Sequence, residues 1–162
     1  MSKQLPVLVY GTLRPGQGNY YHFLEGRTLT ERNVTLDGYR MYAGMGFPYV
    51  IPAGQDESVV ATLIDLDPEQ YEDTVIGLDM LEGYHGPGKR NHYDRVEVTF
   101  VDENGEEITA SMYVAHISMY RDINARLPIL PGGDWVKHVE EKRAERMAYS
   151  FDGIPAEVEE AV

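Results

Sequence analysis

Apolar and polar positions change over along this chain in short runs, punctuated by glycine and proline. Val7-Leu8-Val9-Tyr10 is apolar and partly β-branched and stops at Gly11, which predicts a short buried strand. Thr12 to Gly18 holds Pro15, Gly16 and Gly18 and predicts a loop, followed by a short helix over Asn19 to Leu24. Val34 to Tyr42 partly alternates and predicts one strand with a face in the core. Phe47-Pro48-Tyr49-Val50, set among Gly44, Gly46, Pro52 and Gly54, reads as extended or turn-like. Ser58 to Leu66 is rich in Val, Leu and Ile and predicts another strand.

Asp67-Pro68-Glu69 has the form of a helix start, with Asp67 as N-cap and Pro68 in the first position. That helix runs to Glu82 in one piece or two, with Gly77 as the candidate break. Leu78 and Leu81 share a face, so Glu82 falls at the edge of an apolar stripe. After the turn-rich loop Gly83 to Asn91, the strands Tyr93 to Val101 and Ile108 to Ile117 form a hairpin about Asn104-Gly105. A charged helix over Trp135 to Met147 is capped by Asp134. Parallel β-α-β alternation does not dominate this order. The pattern predicts an α+β domain whose curved, mainly antiparallel sheet is a candidate small barrel.

Composition narrows the range of functions. A length of 162 residues suits one domain, taken here as residues 1–148, with 149–162 as an acidic and mobile C-terminal tail. The 27 acidic residues outnumber 14 basic ones, and the net charge of −13 disfavours nucleic acid or an anionic membrane as partner. No cysteine is present, which removes disulfides, thiolate metal sites and thiol nucleophiles and fits the reducing cytoplasm. No apolar run approaches the ~20 residues of a membrane span, and no leader precedes the first strand. The five histidines are scattered, without a metal-binding helix pair, and Gly86-Pro87-Gly88-Lys89 lacks the spacing of a phosphate-binding loop, so no metal or cofactor is expected.

Candidate chemistry lies in two places. Where a strand ends at Gly11, the exposed N–H groups of the following loop can form a nest for a carboxylate or phosphate, although the same residues alone also describe an ordinary turn. Glu82, beside Leu81 and Met80, is either a surface residue at a helix end or a partly desolvated acid with a raised pKa.

Val9-Tyr10-Gly11-Thr12-Leu13-Arg14 resembles the opening motif of the gamma-glutamylcyclotransferase-like family. Phe47-Pro48-Tyr49, Leu78-Asp79-Met80-Leu81-Glu82-Gly83, Tyr93-Asp94-Arg95, the strand ending at Tyr113, and Gly133-Asp134-Trp135 are similar to further family segments in the same order. The resemblance spans roughly residues 7 to 137 and leans to the γ-glutamylamine branch.

It implies a small mixed barrel flanked by helices, and a cofactor-independent reaction on a small γ-glutamyl substrate. The substrate α-amine attacks its own γ-carbonyl, 5-oxoproline forms, and an amine leaves. By resemblance Glu82 is general base and then acid, and the N–H groups of Gly11, Thr12 and Leu13 hold the α-carboxylate. The developing oxyanion is met by the loop N–H groups or by a hydroxyl of Tyr10 or Tyr113. Arg14 pairs with the acidic substrate or faces solvent, Asn19 supports the loop or the ligand, and Arg95 belongs to a structural ion pair. The alternative from another class is a non-catalytic binding module that holds an acidic small molecule in the same cavity.

Overall fold

The computed structural model describes residues 3–151. Val7–Val9 (β1) is the centre of a five-stranded sheet. After the helix Gly18–Phe23 (α1) come Thr28–Asp37 (β2), Tyr39–Ala43 (β3), Pro48–Pro52 (β4) and Ser58–Leu66 (β5). A 3₁₀ turn, Pro68–Gln70, leads into Tyr71–Glu82 (α2), and Tyr93–Val101 (β6) and Glu107–Ala115 (β7) form a hairpin. A second 3₁₀ turn and Tyr120–Arg126 (α3) precede Trp135–Phe151 (α4). Helix α4 thus passes the expected boundary at residue 148, and residues 152–162 of the expected tail lie outside the described residues. Among the described residues no helix is long and apolar enough to cross a membrane.

The large sheet runs β2-β5-β1-β7-β6. Only β1 and β7 pair in parallel; every other neighbour is antiparallel. The strands β3 and β4 form a separate ribbon. The α+β, mainly antiparallel expectation holds, but the sheet does not close into a barrel. No ladder joins its edge strands β2 and β6; Arg32 of β2 instead reaches Asp102, in the turn just after β6, from Nη2 to Oδ2 at 2.8 Å.

The strand expected over Val34 to Tyr42 is two strands in two sheets. Gly38, at φ +89°, turns the chain out of β2 into β3, and any Cβ there would lie 2.7 Å from Gln55 Nε2. Its N–H donates to Glu57 O and its carbonyl accepts from Ala53 N, so the corner keeps its backbone hydrogen bonds. Phe47-Pro48-Tyr49-Val50, read as extended or turn-like, enters β4 at Pro48. The helix α3 has no counterpart in the sequence reading.

Strand β1 is buried on both faces, which is why its run is apolar without alternation. Leu8 and Tyr10 enter a core with Val34, Met41, Val59 and Trp135. Val7 and Val9 point the other way, to Leu24 and Leu78 beneath α1 and α2. Asp67 caps the start of the second helical segment by accepting from Glu69 N at 3.0 Å. Gly77 does not break α2; a Cβ there would make only ordinary contact with the Phe23 ring of α1, at 3.7 Å.

Gly133 couples the C-terminal helix to the sheet. Its φ is +59°, its carbonyl accepts from Val60 N at 2.9 Å, and an added Cβ would lie 2.5 Å from Ser58 O. Gly133→Ala therefore combines left-handed backbone strain with a backbone clash. We expect a loss of at least about 2 kcal/mol of stability, read as a lower urea midpoint at unchanged slope.

Candidate active site

One cavity of about 310 Å³ opens where the C-terminal end of β1 meets the end of α2. Gly11, Thr12 and Leu13 form one side, Leu81 and Glu82 another, and Tyr10, Tyr93 and Tyr113 the inner wall. Phe47, Pro48 and His92 complete the lining. The structure brings together every sequence candidate except the Arg14 side chain.

Arg14 is 5% exposed and faces away from the cavity. Its guanidinium bonds Asp134 Oδ1 at 2.8 Å, Thr62 Oγ1 at 3.2 Å and Asn33 Oδ1 at 3.4 Å. Neither sequence alternative, substrate or solvent, describes this arrangement. A guanidinium has enough donors to satisfy three acceptors at once when buried. The same Asp134 caps α4 through Lys137 N at 3.2 Å. Arg14 thus fixes the binding loop from behind, and Asn19 Nδ2 braces it from within by donating to Thr12 Oγ1 at 2.8 Å.

The loop offers unused donors. Arg14 N closes a turn onto Gly11 O at 3.0 Å, whereas the N–H groups of Gly11, Thr12 and Leu13 donate to no backbone or side-chain acceptor among the described residues. Gly11 is buried, so its N–H lacks bulk water as a substitute. Its lack of a side chain is required by Pro48, whose ring carbons would lie 2.8 Å from a Cβ at that position.

Among the described residues Glu82 is the only Asp, Glu, Lys or Arg lining the cavity. It follows Leu78 by four residues, so it shares the inward face of α2. The helix ends at Gly83, whose φ of +66° lets Tyr84 N return to Asp79 O at 2.9 Å in a left-handed cap. A Cβ on Gly83 would also lie 3.0 Å from His92 Cβ, so glycine allows β6 to start against the end of α2. Burial pushes the Glu82 carboxyl up from 4.5 to about 7. The negative pole of α2 acts in the same direction. Met80 contributes nothing to this burial, contrary to the sequence reading, because it is 76% exposed.

The three tyrosine hydroxyls have committed their hydrogens. Tyr10 Oη donates to Tyr113 O at 2.6 Å, Tyr93 Oη to Pro48 O at 3.2 Å, and Tyr113 Oη to Asp79 Oδ1 at 2.6 Å. Burial, and to a lesser degree the charge of Glu82, raises the pKa of all three phenols. In this arrangement Tyr10 and Tyr113, the hydroxyl candidates for oxyanion donor, have no hydrogen left for a ligand, whereas the loop N–H groups are unused. His92, stacked near Tyr49 and Tyr93, has its pKa lowered by partial burial. The sequence reading missed both His92 and Tyr93 as wall residues; only the Tyr-x-Arg segment hinted at Tyr93. Among the described residues no group of three or more His, Asp or Glu is arranged to hold a metal.

A loop of unused N–H groups facing one partly buried carboxylate, on this open α+β sheet, is an arrangement able to support acid–base chemistry on a small anionic molecule. The chain matches the family described as gamma-glutamyl cyclotransferase, AIG2-like, over residues 7–137, and it belongs to that family of enzymes. It is 30% identical over 107 residues to a Methanocaldococcus jannaschii protein named provisionally as a gamma-glutamylcyclotransferase, covering 66% of this chain and 81% of that one. It is 34% identical over 100 residues to the gamma-L-glutamyl-butirosin B gamma-glutamyl cyclotransferase of Niallia circulans, covering 61% of this chain and 59% of that one. A Pyrococcus horikoshii crystal structure shares the fold at a TM-score of 0.56 and 21% identity, covering 86% of this chain and 97% of that one. An Arabidopsis thaliana solution structure does so at 0.56 and 22%, covering 98% and 90%.

The raised pKa of Glu82 makes it a cost to folding at neutral pH. Its native pKa of about 7 lies above its unfolded value near 4.5, so the native state binds the proton more tightly. The penalty is absent below about pH 4, opens between 4.5 and 7, and is complete above 7, at roughly 3 kcal/mol. Glu82→Gln is therefore expected to unfold at higher urea than wild type at pH 8, with the gap closing towards pH 4.

Proposed function

We propose that the protein cyclises the γ-glutamyl group of a γ-glutamyl amine, releasing 5-oxoproline and the free amine. The observation that carries this reading is Glu82: a lone carboxylate with a pKa near the working pH, facing a loop of unused N–H groups.

The substrate α-carboxylate sits on the N–H groups of Gly11, Thr12 and Leu13, which bends the glutamyl chain back towards its own γ-carbon. An α-amine titrates near ~8 and is mostly an ammonium at neutral pH. Glu82 takes a proton from this nitrogen. The freed lone pair forms the new N–C bond, and the carbonyl oxygen takes up negative charge against the loop donors. Glu82 passes this proton to the departing nitrogen as the old C–N bond breaks, and a second proton leaves the attacking nitrogen by the same route, so the ring keeps one N–H and the amine departs as its ammonium. One amide replaces another without a change of oxidation state, so the chemistry asks for no redox cofactor.

Two observations favour an amine over a carboxylate-bearing leaving group. No Lys or Arg lines the cavity to receive an additional carboxylate, and the net charge of −13 attracts cationic amines. The Niallia circulans relative, named for a γ-glutamylated compound, is consistent with this class.

The test is 5-oxoproline release from a panel of γ-glutamyl amines, γ-glutamyl-ε-lysine, γ-glutamyl amino acids and glutathione. Glu82→Gln is expected to lower kcat by about 10²–10⁴-fold. Turnover that survives in the variant sinks the assignment, and ligand binding without turnover in wild type assigns the cavity to capture alone. A separate prediction concerns pH. Wild-type kcat/KM should fall on the acid side with an apparent pKa of about 7, as the base becomes protonated, and any residual Glu82→Gln activity should lack that limb.

A further inference from the structure

Three sequence segments that the mechanism does not use as such meet at one point beside the cavity. Arg95 on β6 and Tyr113 on β7 are partners across the hairpin ladder, and Asp79 of α2 faces both. Asp79 Oδ1 accepts the Tyr113 hydroxyl at 2.6 Å and lies 3.4 Å from Arg95 Nε. The Arg95 guanidinium in turn lies over the Tyr84 ring, 5.2 Å from its centre. Asp79 and Glu82 are three residues apart on one helix but have different surroundings. Asp79 borders an outer cleft and is ion-paired, whereas Glu82 lines the inner cavity without a partner. Among the described residues, Tyr113 both lines the cavity of Glu82 and bonds Asp79 through its hydroxyl.

We propose that Asp79 is a positioning residue: by taking the Tyr113 hydroxyl hydrogen it turns the Tyr113 oxygen into an acceptor for the N–H bonds of the substrate amine beside Glu82. This rests on the γ-glutamyl reading of the cavity. A phenol has one hydrogen, and with that hydrogen held by a carboxylate the oxygen offers lone pairs alone. A hydrogen bond to a carboxylate is charge-assisted, which also makes the phenol oxygen a stronger acceptor.

Tyr10 and Tyr93 give their hydrogens to backbone carbonyls, so the whole tyrosine wall presents acceptors. An acceptor-only wall suits an ammonium or amine and rejects an oxyanion, which sorts the substrate's amine to the Glu82 side and its carboxylate to the loop. Besides Arg95 and Tyr113, Tyr71 from the first turn of α2 is the other titratable group that senses Asp79. Arg95 supplies the counter-charge that keeps Asp79 oriented towards Tyr113.

The test uses calorimetric binding of two probes, L-glutamate and glutarate, which share the dicarboxylate chain and differ in the amine. Wild type, Asp79→Ala, Tyr113→Phe and the double variant are compared, with unfolding midpoints measured alongside. L-Glutamate should bind about ten-fold more weakly to each single variant, and the double variant should match Tyr113→Phe. Glutarate binding should stay within about two-fold of wild type throughout. Should Asp79→Ala fail to fold, Asp79→Asn keeps the shape without the charge, and its expected loss for L-glutamate is about three- to ten-fold with none for glutarate.

Unchanged L-glutamate binding in the Asp79 variants, losses that multiply in the double variant, or an equal loss for glutarate each overturns the proposal. So does a wild type that does not distinguish the two probes. A wild type with the expected pattern that turns over no γ-glutamyl compound leaves the Asp79 assignment standing and removes the cyclotransferase reading instead.

Discussion

The buried contact between Arg14 and Asp134 is what the rest of the site depends on. It ties the loop after β1 to the start of α4, and through Thr62 and Asn33 to two strands of the large sheet. A loop held at three points through Arg14 keeps its N–H groups aimed without help from a ligand. Donors fixed before the substrate arrives lose little in reorganisation, which is where electrostatic catalysis gains most over water. The pair is a weak source of net stability, because both charges give up hydration. Its contribution is to geometry: Gly133 presses against β5, Asp134 follows at once as helix cap and counter-ion, and Trp135 enters the core.

The acidic residues of the protein divide by what surrounds them. Asp134 has Arg14, Asp102 has Arg32 and two backbone N–H groups, and Asp79 has Arg95 and Tyr113. These carboxylates hold structure. Glu82 has none of these supports and lies at the unfavourable end of a helix dipole. A glutamate there costs stability at neutral pH, and a carboxyl shifted this far in a cleft is the kind of group found at functional sites.

Much of the fold was legible because the signals were local. The apolar run of β1, the Asp67-Pro68 helix start and the Asn104-Gly105 turn each carry their information within a few residues. Glu82 itself was legible only through the resemblance of its Leu-Asp-x-x-Glu-Gly segment; its physics alone favoured a surface residue at a helix end. What stayed hidden was long-range. The partner of Arg14 lies 120 residues away, and nothing near Arg14 names it. Gly38 reads as one more residue of a strand until the clash with Gln55 and the bond to Glu57 show that the chain turns there. Whether a sheet with the right strands closes depends on the edges, and here an arginine of one edge strand meets an aspartate in the turn after the other, with no ladder between the two. The direction in which each tyrosine gives its hydrogen is equally invisible in one dimension.

The absence of a lysine or arginine from the cavity lining follows from the same electrostatics. The simplest receptor for a substrate carboxylate would be a cation, and Arg14 stands next in sequence to the binding loop. A guanidinium facing Glu82 across this small cavity would lower that carboxyl, back into the range where it is a poor base at neutral pH. Neutral N–H groups act through partial charges that fall off faster with distance, so a loop of this kind can receive a carboxylate while Glu82 keeps its pKa of about 7. Turning Arg14 outward and covering its charge with Asp134 lets one residue fix the loop without interfering with the acid opposite. Loop rigidity and the basicity of Glu82 are thus compatible in one arrangement, in which the arginine that follows the loop is buried, paired and pointed away from the cavity.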